Sequence, residues 1–252
     1  MKKALVLFLM VATAAVNAAE PFKGRLEWGR RVALGMPVSG VVKDVAVTAG
    51  HEVEKGQLLV RLDPRPFNAK LAEAEARQHS TEQKMLEAKR ELNRANQLYE
   101  RTVLSNTELE QAQTAYQTAK AQFDDAKAKL QLARYHVEYS ELHAPFNGII
   151  GRVNTDVGQT IVSRLQVEPL VTIVDNKHMI ARVKVTADDI SQFSVGRSIM
   201  VKVSGRIFSG RVAMVGIEPL EVDTGIAYDV DVEFLSKDIF LRAGQNVTVV
   251  LP

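Results

Sequence analysis

The chain contains no cysteine, which excludes disulfides, thiol catalysis, Cys-ligated metal sites and an N-terminal lipid on cysteine. It lacks an excess of either charge: 32 basic and 30 acidic residues are mixed along the whole length for a net +2, so no basic stripe marks a nucleic-acid binder. No Walker loop, dinucleotide fingerprint or G-x-S-x-G elbow is present, and Gly148-Ile149-Ile150-Gly151 reads as a strand turn rather than a phosphate cradle. The five histidines, His51, His79, His136, His143 and His178, have no metal-ligand spacing such as H-E-x-x-H. The paired carboxylates Asp124-Asp125 and Asp188-Asp189 fall on a polar helix face and in a short turn, where solvated charge is the expectation. Neither catalysis nor a bound metal or cofactor is called for.

What is present begins with a leader. Lys2 and Lys3 form a positive start, Ala4 to Val16 an apolar stretch, and Val16-Asn17-Ala18-Ala19 a small-residue cleavage site. The apolar stretch is shorter than the ~20 residues that span a bilayer, so residues 1–19 are expected to be a secretory signal peptide, with an uncleaved inner-membrane anchor as the alternative. No later segment is apolar enough to cross a membrane. With 252 residues, 46% apolar, the chain can build a substantial core, which an exported protein without disulfides requires.

A β-rich repeat then occurs twice. Met36-Pro37-Val38-Ser39-Gly40-Val41-Val42 aligns with Ala144-Pro145-Phe146-Asn147-Gly148-Ile149-Ile150, and the register continues without a gap through Val45 with Val153, Gly50 with Gly158 and Val53 with Ile161. After a short insertion in the second copy, each ends in an apolar strand closed by Asp, Asp63 and Asp175. One such copy cannot cover its own apolar face, so two facing copies are expected to form one small barrel or sandwich.

Between the copies lies a heptad seam in two arms. Its positions are Phe67, Leu71, Ala74, Gln78, Thr81, Met85, Ala88, Leu92, Ala95 and Tyr99, then Leu109, Ala112, Tyr116, Ala119, Phe123, Ala126, Leu130, Ala133, Val137 and Ser140. One seam position in each arm is mostly alanine, which lets large side chains interdigitate and the helices approach. Pro64 and Pro66 suit the entry, Pro145 stops the exit, and Ser105 or Asn106 can cap the second helix. Arms of about 35 residues at 1.5 Å each reach roughly 50 Å. From periodicity alone the hairpin is either a device for reaching a distant partner or a dimerisation arm.

The repeat resembles the biotinyl-lipoyl fold, but the junction reads Asp63-Pro64-Arg65-Pro66 and offers no carrier lysine, so covalent lipoate or biotin is not expected. A lipoyl-like domain split by an α-hairpin in an exported chain resembles the periplasmic adaptor, or membrane fusion protein, family of tripartite efflux systems. In the branch serving resistance–nodulation–division pumps the hairpin tip carries Arg-x3-Leu-x6-Ser, matched here by Arg94, Leu98 and Ser105. The resemblance implies that these residues dock an outer-membrane channel. It also implies an inner-membrane transporter as partner, self-association into a hexameric ring, and a periplasmic location.

The residues after Asp175 fit the family's small antiparallel β-barrel, with Leu241-Arg242-Ala243-Gly244 resembling its strand-entry motif. The expected layout is a mixed α and β chain: signal peptide 1–19, N-terminal segment 20–34, lipoyl-like half 35–63, hairpin 64–141, second half 142–175 and barrel 176–252. The chain stops at Pro252 without the membrane-proximal domain of many pump adaptors, so the grip on the transporter is expected from the barrel and lipoyl-like domains. Competing expectations are an adaptor of an ATP-driven exporter or type I secretion system, a lipoyl or biotin carrier, and a periplasmic metal-binding protein.

Overall fold

The computed structural model describes residues 21–163, 168–222, 225–237 and 239–251, so the expected leader at 1–19 lies outside the described residues. In chain order the strands before the helices are β1 Phe22–Trp28, β2 Arg31–Leu34, β3 Gly40–Val45, β4 Glu52–Val53 and β5 Leu58–Leu62. The helices are α1 Arg65–Glu100 and α2 Asn106–Glu138. After them come β6 Glu141–His143, β7 Gly148–Val153, β8 Thr160–Ile161, β9 Val171–Val174, β10 His178–Thr186, β11 Ser198–Val203, β12 Arg206–Val215, β13 Leu220–Val222, β14 Gly225–Leu235 and β15 Asn246–Val250. The chain divides into two units, Arg31–Asp175 and the stretches up to Arg30 and from Asn176 onward.

In the first unit the repeat is a reciprocal exchange. Two four-stranded sheets, β2-β9-β7-β4 and β6-β5-β3-β8, each take strands from both copies. Gly40 pairs with Ile161 while Val53 pairs with Gly148, the same contact seen from either copy. Val42 N–H donates to Gln159 O at 2.8 Å, and its counterpart Ile150 donates to His51 O at 2.9 Å. Both equivalent strands carry a bulge at equivalent places, Val42/Asp44 and Ile150/Arg152. The turns need glycine: Gly50 and Gly158 sit at φ 87° and 91°, where a Cβ is strongly disfavoured. Met36, Val42, Leu59, Leu62, Ile150, Leu170 and Ile173 fill the space between the sheets. Phe67, from the first turn of α1, belongs to the same cluster and so anchors the hairpin's root.

The hairpin follows its seam. Among the heptad positions Thr81, Leu109, Ala126, Leu130, Ala133 and Ser140 are buried and the others half-buried, apart from Phe67 in the sheet core and Tyr99. At that last place Tyr99 keeps 43% of its surface while Leu98 beside it is half-buried. Thr81 donates its hydroxyl to the carbonyls of Arg77 and Gln78 at 3.0 and 2.9 Å, so a polar residue is satisfied within the seam.

The second unit is a closed antiparallel barrel, β10-β1-β15-β11-β12-β14 and back to β10, with β13 added on β14. The sequence expectation left 20–34 as a separate segment and began the barrel at 176. Instead β1 lies between β10 and β15, and β2 pairs with β9 in the other unit. The cause is the alternation of β1, which buries Leu26 in the barrel core and turns Lys23 and Arg25 outward. Gly24 is required there, since a Cβ would stand 2.0 Å from the carbonyl oxygen of Arg182. Outside the core Arg182 donates two 2.7 Å hydrogen bonds to Asp231 and pairs with Glu27 at 3.0 Å. The short turn expected at Asp188-Asp189 leads into a 3-10 helix at Ile190–Gln192, with Asp189 at its start.

Candidate docking site at the hairpin turn

At its root α1 starts on Pro64 with a proline in its first turn, where the missing N–H costs nothing. Pro64 has no side-chain cap, and Asp63 takes that work by accepting from the backbone N–H of Arg65 at 3.1 Å. The Arg65 guanidinium also donates to the Asp63 carboxyl, and these hydrogen bonds hold it at about 2, below the usual 3.8.

At the far end α1 closes in a Schellman arrangement. Thr102 N–H donates to Tyr99 O at 2.9 Å and Val103 N–H to Leu98 O at 3.0 Å. The left-handed residue this motif demands is Thr102, at φ 61°, where glycine is usual. Three residues later Ser105 caps α2. Its Oγ accepts from Glu108 N–H at 3.3 Å and donates to Glu108 Oε2 at 2.7 Å, and its own N–H donates to Oε2 at 3.0 Å, a full capping box. Those hydrogen bonds from Ser105 hold the Glu108 carboxyl below its ordinary range.

Of the three residues singled out in the sequence, Leu98 and Ser105 stand on the two sides of this turn, and Arg94 lies one helical turn further down α1. Arg94 is exposed and pairs with Glu91 at 3.2 Å, Leu98 is half-buried, and Ser105 holds the cap. Sequence reading missed Thr102, because nothing local marks a β-branched residue for positive φ, and it missed Val103, whose side chain is 71% exposed at the tip. The turn offers two exposed cations, Arg94 and Arg101, one partly apolar ledge and an exposed valine, a surface suited to contact rather than to bond chemistry. Among the described residues no group of three His, Cys, Asp or Glu side chains lies together in a way that could hold a metal ion.

Comparison with known proteins gives this geometry a context. Residues 30–174 match the model of the RND MFP barrel-sandwich hybrid domain. A macrolide export protein MacA of Yersinia pestis is 30% identical over 243 residues, covering 90% of this chain and 66% of the relative. A multidrug resistance protein MdtA of Pectobacterium atrosepticum is 29% identical over 140 residues, 56% of this chain and 34% of the relative. The chain thus spans just under two thirds of the first of these relatives and about a third of the second. Among solved structures, the membrane fusion protein Spr0693 of Streptococcus pneumoniae R6 superposes with a TM-score of 0.74 at 16% identity, over 93% of this chain and 99% of that one. A MacA–MexA chimera carrying the Pseudomonas aeruginosa MexA α-hairpin superposes with a TM-score of 0.70 at 21% identity, over 91% and 78% of the two chains, a likeness of fold. With more than half of its length matched by the family model, the chain belongs to the membrane fusion protein, or periplasmic adaptor, family.

Proposed function

We propose that this chain is the periplasmic adaptor of a tripartite export system, joining an inner-membrane resistance–nodulation–division transporter to an outer-membrane channel. The observation that carries the reading is the hairpin: two arms of 36 and 33 residues reach roughly 50 Å from a sheet anchor and end in a turn closed at both helix termini. In this reading the two-sheet unit is a split lipoyl-like domain that serves as a frame and carries no cofactor. Arg94, Leu98 and Ser105 form the contact with the channel, with Ser105 acting through the shape of the turn. The transporter is held by the barrel and the two-sheet unit, copies of the chain assemble as a ring, and the role is structural rather than enzymatic. The exported cargo is a small molecule, in keeping with the names macrolide export and multidrug resistance carried by the relatives.

The test is Arg94→Asp with Leu98→Ser in a strain that depends on the chain for export. Susceptibility to the exported compound is expected to match that of the deletion strain, with the variant present at parental level. Export that survives both changes removes the tip from the mechanism. Deleting the candidate transporter separates a resistance–nodulation–division partner from an ATP-driven one, because only loss of the true partner reproduces the phenotype.

A further inference from the structure

The barrel carries like charges face to face on its outer surface. Arg25 of β1 stands directly opposite Arg182 of β10. One step along the alternation of each strand, Lys23 and Lys184 turn to the same side. Cations set across neighbouring strands repel and lower the stability of the pair. With Glu27, Asp229, Asn246 and Leu220 the four cations line a hollow of about 660 Å³, within the size range of small-molecule sites. Of the four, Arg182 is matched from within, by its two 2.7 Å hydrogen bonds to Asp231 and its 3.0 Å pair with Glu27. Among the described residues no ion pair reaches Lys23, Arg25 or Lys184. Asp229, opposite Lys184 on β14, does not discharge it: Oδ1 is shut off from solvent and has no hydrogen-bond partner. Lys23, Arg25, Arg182 and Lys184 thus face Glu27, Asp229 and Asp231, and one positive charge is left over.

We propose that this hollow binds a small organic carboxylate, held by Lys23, Arg25 and Lys184. The guanidinium of Arg25 presents paired N–H donors in one plane, the arrangement that the two oxygens of a carboxylate accept. Lys23 and Lys184 add a point charge from each strand, and Asn246, opposite Arg25 on β15, offers an amide N–H. A single negative charge matches the surplus. The dianion of a phosphate monoester exceeds it and is repelled by Glu27 and Asp229, which line the same hollow. The hollow is larger than a carboxyl group, and Leu220 gives the remainder of the ligand an apolar wall. An anion seated among cations that otherwise repel one another also stabilises the strands that carry them, so occupancy and barrel stability are linked. The site lies wholly in the second unit and does not depend on what the hairpin touches.

The test follows the backbone amide resonances of Gly24 and Asn246 in the full chain by nuclear magnetic resonance at low salt. Sodium acetate is titrated in, with acetamide as its neutral counterpart and sodium chloride at matched ionic strength. Acetate is expected to move both resonances saturably and to raise the melting temperature of the barrel, whereas acetamide and chloride do neither. Arg25→Gln with Lys184→Gln replaces two exposed side chains and is expected to keep the parental circular dichroism spectrum while weakening acetate binding about tenfold or more. Equal responses to acetate and chloride mean screening alone and overturn the proposal. An acetate titration that never saturates overturns it too, as does a saturable one unchanged by the two substitutions. Tighter binding of sodium phosphate than of acetate at equal ionic strength overturns the assignment to a carboxylate.

Discussion

Thr102 holds a left-handed backbone at φ 61° just past the end of α1, a conformation that costs a β-branched residue about 1–3 kcal/mol. Thr102→Gly relieves that strain at the expense of some unfolded-chain entropy, so a net gain of about 1 kcal/mol is expected, read as slower hydrogen exchange at Thr102 and Val103. Ser105→Ala acts in the other direction: loss of the capping box should cost about 1 kcal/mol and fray the start of α2. The carboxyls at the two ends of the hairpin respond to acid. Asp63 and Glu108 both titrate lower in the folded chain than their ordinary 3.8 and 4.5, so their contribution is complete above those values and disappears as pH falls below them. Helix-end amides near Arg65 and Glu108 should therefore lose protection between about pH 4.5 and 2 while mid-hairpin amides keep theirs, and an unchanged pattern would count against these caps.

Among the elements, the hairpin was the most legible from sequence because a heptad seam is a local pattern: every residue needed to see it lies within a few turns. The seam also predicts its own sensitivity. Ala126 keeps only 2% of its surface, so Ala126→Leu should overpack it and cost about 1–3 kcal/mol, whereas Leu130→Ala should leave a cavity and cost about 2–4 kcal/mol. Both are measurable as a drop in the helical melt. The paired repeat was equally readable, because two copies in one register advertise each other. The strand β1 was not: its place is set by β10 and β15, which follow some 150 and more residues later, and seven alternating residues do not name their partners. At the turn the cap was readable from Ser105, while the Schellman closure was hidden because its usual glycine is absent.

For the molecule as a whole, the division into two units predicts separable failure. Leu26 has no exposed surface and lies in the barrel core, so Leu26→Asp places an unpaired carboxylate there at a cost of several kcal/mol. Barrel unfolding should then be seen in near-ultraviolet circular dichroism and protease sensitivity after Asn176, with the helical signal at 222 nm retained. Loss of both signals together would show that the units do not stand alone.

The strands flanking the hairpin, β5 and β6, pair with each other, Leu58 opposite His143, and the Arg61–Glu141 ion pair spans them at 2.9 Å. The helices thus leave and re-enter a closed clasp, and the sheets register the hairpin only through its two ends. Length is therefore a free parameter of this architecture: taking one heptad from each arm, seven residues at matched levels, preserves seam and clasp and shortens the reach by about 10 Å. The reach of the hairpin can be set by deletion or duplication in units of seven, with no change to the frame that holds it.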